Sequence, residues 1–302
     1  MSSLPSVSPR HSLADLLTKT SSFFAGKGID TARLDAELLL GEVLSLDRLQ
    51  LYTSFDRPMN EEELDAYRAL VKRRAKREPV AYILGCKEFY GREFKVDSRV
   101  LIPRPDTEVL VDEVLERLPD TAEGVLLDYG TGSGAIAITL AAERPNLRVL
   151  ATDLSEDALT VAKENAKLLG VDERVGFIRS DGLSAVPQRF RGALCAIVSN
   201  PPYIDERERE SLMPDVRDHE PHSALFPGAD PLLHYRRISA EARDWLASDG
   251  FASVEVGAGQ AKDVAELFEA HGWLDRHIRS DLARHERVVS AFTEAQPITP
   301  PS

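Results

Sequence analysis

Two groups of residues in this 302-residue chain have types and spacings that could do chemistry. The first runs Asp128, Tyr129, Gly130, Thr131, Gly132, Ser133, Gly134 inside "LLDYGTGSGAIAITLA" (126–141). An apolar run, a glycine-rich turn and a helical pattern follow one another there. Glycines let backbone approach a ligand closely, and a helix start offers free N–H groups. Asp153 ends the next apolar run, 19 residues after Gly134, where a carboxylate can accept both hydroxyls of a ribose. Asp181 and Gly182 end a third run, and an acid–glycine pair in that place suits the edge of an adenine. Gly130-x-Gly132-x-x-Ala135 also fits the relaxed dinucleotide fingerprint, so an NAD-dependent dehydrogenase stays open. Asp128 tilts against it, because a carboxylate just before the glycines repels a pyrophosphate and suits a cationic amino group. Together these residues describe an adenosine with a ribose, an amino-acid tail and no phosphates. S-adenosyl-L-methionine has that form.

The second group is Asn200, Pro201, Pro202 and Tyr203, in "SNPPYID" (199–205). The preceding "ALCAIVSN", with Leu194, Ile197 and Val198, reads as a buried parallel strand. It stops where proline can no longer donate to a sheet ladder. What such an end does depends on the elements around it.

Those elements fall into two patterns. Residues 12–84 read as a small all-helical domain with no strand pattern. "DTARLDAELLLGEVL" starts at a capping Asp30, and Asn60 with Glu63 forms a capping box for "EEELDAYRALVKRRAKR". The basic cluster Lys72–Arg77 reads as the solvated end of that helix, where cations suit the dipole. Residues 85–105 form a β-hairpin linker with Gly91 near its turn and Arg104 between two prolines. Over 106–293 helix and strand alternate, as in an open, mostly parallel seven-stranded sheet with helices on both faces. A helix is expected from Ser133 to Glu143, and another over "PLLHYRRISAEARDWLA". The fold class is therefore α/β and Rossmann-like. Residues 1–11 and 294–302 read as disordered tails. The fourth strand of such a sheet lies beside the first, so Asn200 falls at the topological switch point where ligands bind.

Charge and composition narrow the partners. Residues 1–100 carry 16 basic and 15 acidic side chains, and residues 101–302 carry 21 and 35. An acidic main body repels phosphate backbones, so no nucleic-acid partner is expected. No apolar run is long enough to span a membrane and the start lacks a signal-peptide core, so a cytoplasmic protein is expected. Cys86 and Cys195 read as buried small hydrophobes in a reducing compartment. His219 and His222, in "HEPH", lack helical ligand spacing, and His277 and His285 have no acidic or cysteine partners at such spacing, so no metal is expected.

The glycine-rich loop with its acids resembles the class I methyltransferase fold, and Asn-Pro-Pro-Tyr resembles the motif by which its amino-methylating members hold a planar nitrogen. The resemblance implies that Asn200 and the Pro201 carbonyl accept the two hydrogens of that nitrogen while Tyr203 packs on its plane. Pro202 locks the backbone beside them, and Asn200 also borders the cofactor. Such a motif leaves open adenine in DNA or RNA and glutamine in protein. "EPVAYILGCKEFYG", "LIPRPDTEVLV", "NPPYI", "EPHSALFPGADPLLHYRRI", "VEVGAGQ" and "DLARHERVV" together resemble the HemK/PrmC family across about residues 12–293. That resemblance implies methyl transfer from S-adenosyl-L-methionine to the side-chain amide nitrogen (N5) of the Gly-Gly-Gln glutamine in peptide-chain release factors. It places Asp128, Gly130, Thr131, Gly132, Ser133, Gly134, Asp153, Asp181 and Gly182 around the cofactor and makes residues 12–84 the substrate-recognition domain. Leu183 stands where some members place an aromatic against the adenine, and Pro231 where relatives often have glycine. The alternative is an adenine-N6 methyltransferase.

Overall fold

The computed structural model describes residues 12–294, so the expected tails lie outside the described residues except for Glu294. It divides into two compact units. Among the described residues, one comprises those up to Gly85 together with Pro214–His219; the other comprises Cys86–Met213 and those from Glu220 onward.

The smaller unit holds α1 (Leu13–Ala25), α2 (Ala32–Leu44), α3 (Arg48–Thr53), α4 (Glu61–Arg74), α5 (Val80–Leu84) and, from much later in the chain, α9 (Pro214–His219). Ser12 caps α1 by accepting from the Asp15 N–H, and Leu13, Leu16, Leu17 and Phe24 bury one face at helical spacing. The capping box of Asn60 and Glu63 opens α4 as its sequence requires. Helix α2 starts later than expected: Thr31, without a side-chain hydrogen bond, is its N-cap, and Asp30 lies in the preceding turn. The basic cluster also departs from expectation. Arg74 is only 3 % exposed, and its guanidinium bridges Asp35 (2.6 Å) and Asp215 (2.6 Å). Arg77 reaches the other oxygen of Asp215 and the Gly28 carbonyl. The end of α4 is thus a buried cation that holds α9, because two carboxylates from distant parts of the chain converge on it.

The larger unit opens with a hairpin of β1 (Cys86–Phe89) and β2 (Arg92–Lys95). Its two-residue turn, Tyr90 and Gly91, has φ of 52° and 69°, the left-handed pair that matches strand twist. Phe89 and Phe94 are buried in the core of this unit. Further on come α6 (Glu108–Arg117), β3 (Gly124–Tyr129), α7 (Ala135–Glu143), β4 (Leu147–Asp153), α8 (Glu156–Leu168), β5 (Val175–Arg179) and β6 (Leu194–Ser199). After α9 follow α10 (His222–Leu225), α11 (Leu233–Glu241), β7 (Leu246–Glu255), α12 (Ala261–Ala270), β8 (Asp275–Ser280) and β9 (Glu286–Phe292). The sheet order is β5-β4-β3-β6-β7-β9-β8, parallel except where β9 runs against both neighbours. On α8, Asn165 accepts from Lys95 N and donates to Lys95 O and Ser133 O, which ties the hairpin to the glycine-rich loop.

Two expected helices are shorter than the sequence pattern. Helix α7 starts at Ala135, since Gly134 sits at its N-cap in a left-handed conformation. Helix α11 ends at Glu241, and Leu246 already belongs to β7. Cys86 and Cys195 form no disulfide and are half-buried rather than buried, and the Cys195 thiol donates to Val125 O. No helix among the described residues is long and apolar enough to cross a membrane.

Removing the cation from a buried carboxylate pair is expensive. Arg74→Ala is expected to lower unfolding stability by about 3–5 kcal/mol. Urea denaturation monitored by circular dichroism measures this, and Asp35→Asn in the same background should recover part of the loss.

Candidate active site

The carboxyl ends of β3 and β6 form the site. The two strands are parallel neighbours, and Asp128 pairs in register with Val198, so Asn200 stands level with Gly130. At the β3 end, Asp128 is fully buried. Its Oδ2 accepts from Thr131 Oγ1 (2.6 Å) and Ala137 N (3.2 Å), while Oδ1 is buried without a partner. Burial pushes its carboxyl up to about 7. A buried acid with a free oxygen calls for a cation.

The loop that follows carries left-handed glycines at 130, 132 and 134. A Cβ on Gly130 or Gly132 would meet nothing within 4 Å, so these two leave an open cradle. At Gly134 the Cβ would come within 2.6 Å of Ile138 Cδ1 and 3.2 Å of Ala162 Cβ, so that glycine serves helix packing. Thr131 and Ser133 are buried. Thr131 is spent on Asp128, and the Ser133 carbonyl on Asn165. Asp153, at the end of β4, accepts from Gly132 N (2.9 Å) and Ser155 N (2.9 Å), so one carboxylate spans the loop and the start of α8. Burial raises its pKa as well. Next to it Leu154 is 63 % exposed, an apolar side chain at the rim of a polar loop. Asp181 is exposed and engaged by Arg237 (2.7 Å). The neighbouring Gly182 is buried, and a Cβ there would lie 3.0 Å from the Tyr129 ring.

At the β6 end the Asn-Pro-Pro-Tyr turn is held from several sides. Asn200 Nδ2 donates to Thr107 Oγ1 (3.0 Å), and Pro201 is buried. Gln260 donates to Tyr203 O (3.0 Å) and accepts from Gly257 N, while a Cβ on Gly257 would lie 2.9 Å from the Tyr203 ring. The segment 102–107 is itself pinned. Glu220 accepts from Arg104 (2.5 Å) and from Ile102 N, and Asp106 pairs with Arg287 (2.8 Å). Glu255, at the end of β7, is 2 % exposed. Thr107 and Asn200 approach its carboxylate as donors, though Oε2 is left buried without a well-formed partner.

The structure thus gathers Asp128, Gly130, Gly132, Asp153, Asn200, Pro201 and Tyr203 at the carboxyl end of the central strands. Pro202 is half-buried in the same turn, and Asp181 and Gly182 stand further out beside Tyr129. Sequence reasoning missed Thr107, Glu255, Gln260, Arg287 and Glu220 as site positions. A signal was present for Glu255, a lone acid in the apolar run "FASVEVG". His277 and His285 each meet one carboxylate, Glu113 (3.1 Å) and Asp281 (3.4 Å). Among the described residues no cluster of three or more ligand-type side chains is arranged to hold a metal ion.

Comparison with known proteins bears on this geometry. The PrmC N-terminal domain family matches residues 15–85, and the methyltransferase small domain family matches residues 106–216. A release factor glutamine methyltransferase from Geobacter sulfurreducens is 44% identical over 275 residues, covering 91% of this chain and 94% of its own. One from Chlorobaculum tepidum is 43% identical over 289 residues, covering 94% and 98%. Among solved structures, the hMettl16 catalytic domain in complex with MAT2A 3′UTR hairpin 6 superposes with a TM-score of 0.58 at 16% identity, covering 73% of this chain and 84% of that one. That likeness is one of fold alone, the class I methyltransferase fold.

Two outcomes follow from the loop geometry. Gly134→Ala combines left-handed strain with overpacking and should destabilise by about 2–4 kcal/mol, against about 1–2 for Gly130→Ala, which thermal unfolding would rank. Since the Asp128 carboxyl lies at about 7, a cationic ligand binds best when it is ionised. Affinity for S-adenosyl-L-methionine should then fall on the order of tenfold per pH unit below that value. Calorimetric titration should find this dependence flattened in Asp128→Asn.

Proposed function

Because this chain belongs to the release factor glutamine methyltransferase family, we propose that it methylates the N5 side-chain nitrogen of the glutamine in the Gly-Gly-Gln motif of class I peptide-chain release factors, in the cytoplasm. It is an S-adenosyl-L-methionine-dependent protein-glutamine methyltransferase. The observation that carries the finer reading is the register of β3 and β6, which sets Asn-Pro-Pro-Tyr level with the open glycine cradle.

The residues present fit the cofactor. Open space over Gly130 and Gly132 would admit it, Asp128 would face its cationic amino-acid end, Asp153 its ribose, and Leu154 with Asp181–Gly182 its adenine. When bound, S-adenosyl-L-methionine supplies a methyl group on a positively charged sulfur, ready for transfer to a nucleophile. The chain's own part is positioning. An amide nitrogen delocalises its lone pair into the carbonyl and is a poor nucleophile. Asn200 Oδ1 would accept one of its hydrogens and the Pro201 carbonyl the other, while the Tyr203 ring lies on its plane. Proline at 201 and 202 locks φ, so the carbonyl direction is built into the backbone. As the N–C bond forms and the methyl–sulfur bond breaks, the nitrogen becomes acidic and gives its proton to water, so no histidine base is required. Residues 12–84 supply the recognition surface for the protein substrate. The acidic larger unit disfavours the alternative of adenine in a nucleic acid.

Labelled methyl transfer tests this side by side on purified release factor, ribosomal protein and nucleic acid. Label in the release factor glutamine alone is the expected result; label in nucleic acid would overturn it. Asn200→Ala should lose about a hundredfold in single-turnover rate at saturating cofactor. Tyr203→Phe should be much milder, because the ring and not the hydroxyl makes the contact.

A further inference from the structure

We propose that Glu255 is a positioning residue that, with Thr107, fixes the orientation of the Asn200 carboxamide, turning Nδ2 into the protein and Oδ1 toward the substrate amide. This rests on the reading of Asn200 as a hydrogen acceptor for the reacting nitrogen.

The argument is one of donors and acceptors. Ser199 pairs with Val254, so Asn200 and Glu255 end neighbouring parallel strands side by side. Thr107 is buried against both. An ionised carboxylate only accepts, and a hydroxyl has one hydrogen. The Thr107 hydrogen is therefore drawn to Glu255, and its oxygen is left to accept from Asn200 Nδ2, the 3.0 Å contact observed. The flipped carboxamide would set Oδ1 against the Thr107 lone pairs and the Glu255 carboxylate, with no donor facing it. Such a buried, unpaired acceptor is disfavoured strongly enough to select one orientation. Without Glu255, Thr107 could donate as readily as accept, and the carboxamide would have no fixed direction.

The surroundings make this direction sensitive to protonation. Burial pushes the Glu255 carboxyl up to about 7, aided by the charge of Asp106 and opposed by the donors Thr107 and Asn200 and the charge of Arg287. The other titratable groups facing it are the phenols of Tyr203, pushed up to about 12, and Tyr235, also raised, so both stay neutral. A protonated Glu255 can donate to Thr107 or to Asn200 Oδ1, and the orientation is no longer forced.

The test is a double-mutant cycle on the full-length enzyme with release factor and saturating cofactor. Glu255→Gln and Thr107→Val should each lower kcat about tenfold or more. Cofactor KM should stay within about twofold and Thr107→Ser should restore the rate. In an Asn200→Ala background Glu255→Gln should cause no further loss, and the wild-type rise of kcat with pH through neutrality should be absent from Glu255→Gln. Equal losses in both backgrounds, or unchanged kcat in Glu255→Gln, would overturn the assignment. The Asn200 side-chain N–H₂ resonances, identified by their absence in Asn200→Ala, provide a readout independent of turnover. They should be exchange-protected in the wild type and unprotected in Thr107→Val and Glu255→Gln; unchanged protection would also overturn it. If the wild type leaves release factor unmethylated while these resonances behave as expected, the substrate reading fails and the orientation device stands.

Discussion

Everything at this site depends on the parallel pairing of β3 with β6. A chain that visits β4 and β5 before returning to the other side of β3 leaves two strand ends adjacent with their following loops diverging. Near the end of β3 at that point lies the buried, unpartnered oxygen of Asp128. Thr131 and Ala137 answer Oδ2 only, so the buried Oδ1 is left without a hydrogen-bond donor. A cation bound against that oxygen would offset the cost of burying it.

The segment 102–107 has the opposite character, since it is over-determined. Glu220 anchors its start, Arg287 its middle and Asn200 its end. These contacts come from three distant stretches of chain, and each is charged or hydrogen-bonding rather than apolar. Hydrophobic contacts would hold the segment in place but would not set its rotation. Charge-assisted hydrogen bonds do both, which suits a backbone whose function is to aim one hydroxyl.

The fold was legible because its periodicities are strong. The alternation after residue 106, the glycine loop and the proline stop after Asn200 each reflect a local rule, and all three survive in the structure. What stayed hidden is non-local. Nothing local to Arg74 says that Asp35 and Asp215 converge on it, so a basic run reads as solvated. Thr107 looks like an ordinary helix-start threonine, and only the fold brings Asn200 and Glu255 to it. Asp181 is the converse case: the sequence places it at a strand end, but only the structure shows Arg237 holding it. Local chemistry reads from neighbours in the chain, whereas these partners lie 39 to 148 positions apart.

Helix α9 has a consequence for the order in which this protein can be completed during synthesis. The smaller unit is encoded almost wholly in the first 85 residues, yet it includes Pro214–His219. As the chain emerges from the ribosome, N-terminal units generally fold first. Here the helices can assemble early, but Arg74 has one of its two carboxylates, Asp35, until Asp215 emerges after the glycine loop and Asn-Pro-Pro-Tyr have been made. The unit begun first must therefore wait, with a seat left open, for a piece made after most of the sheet.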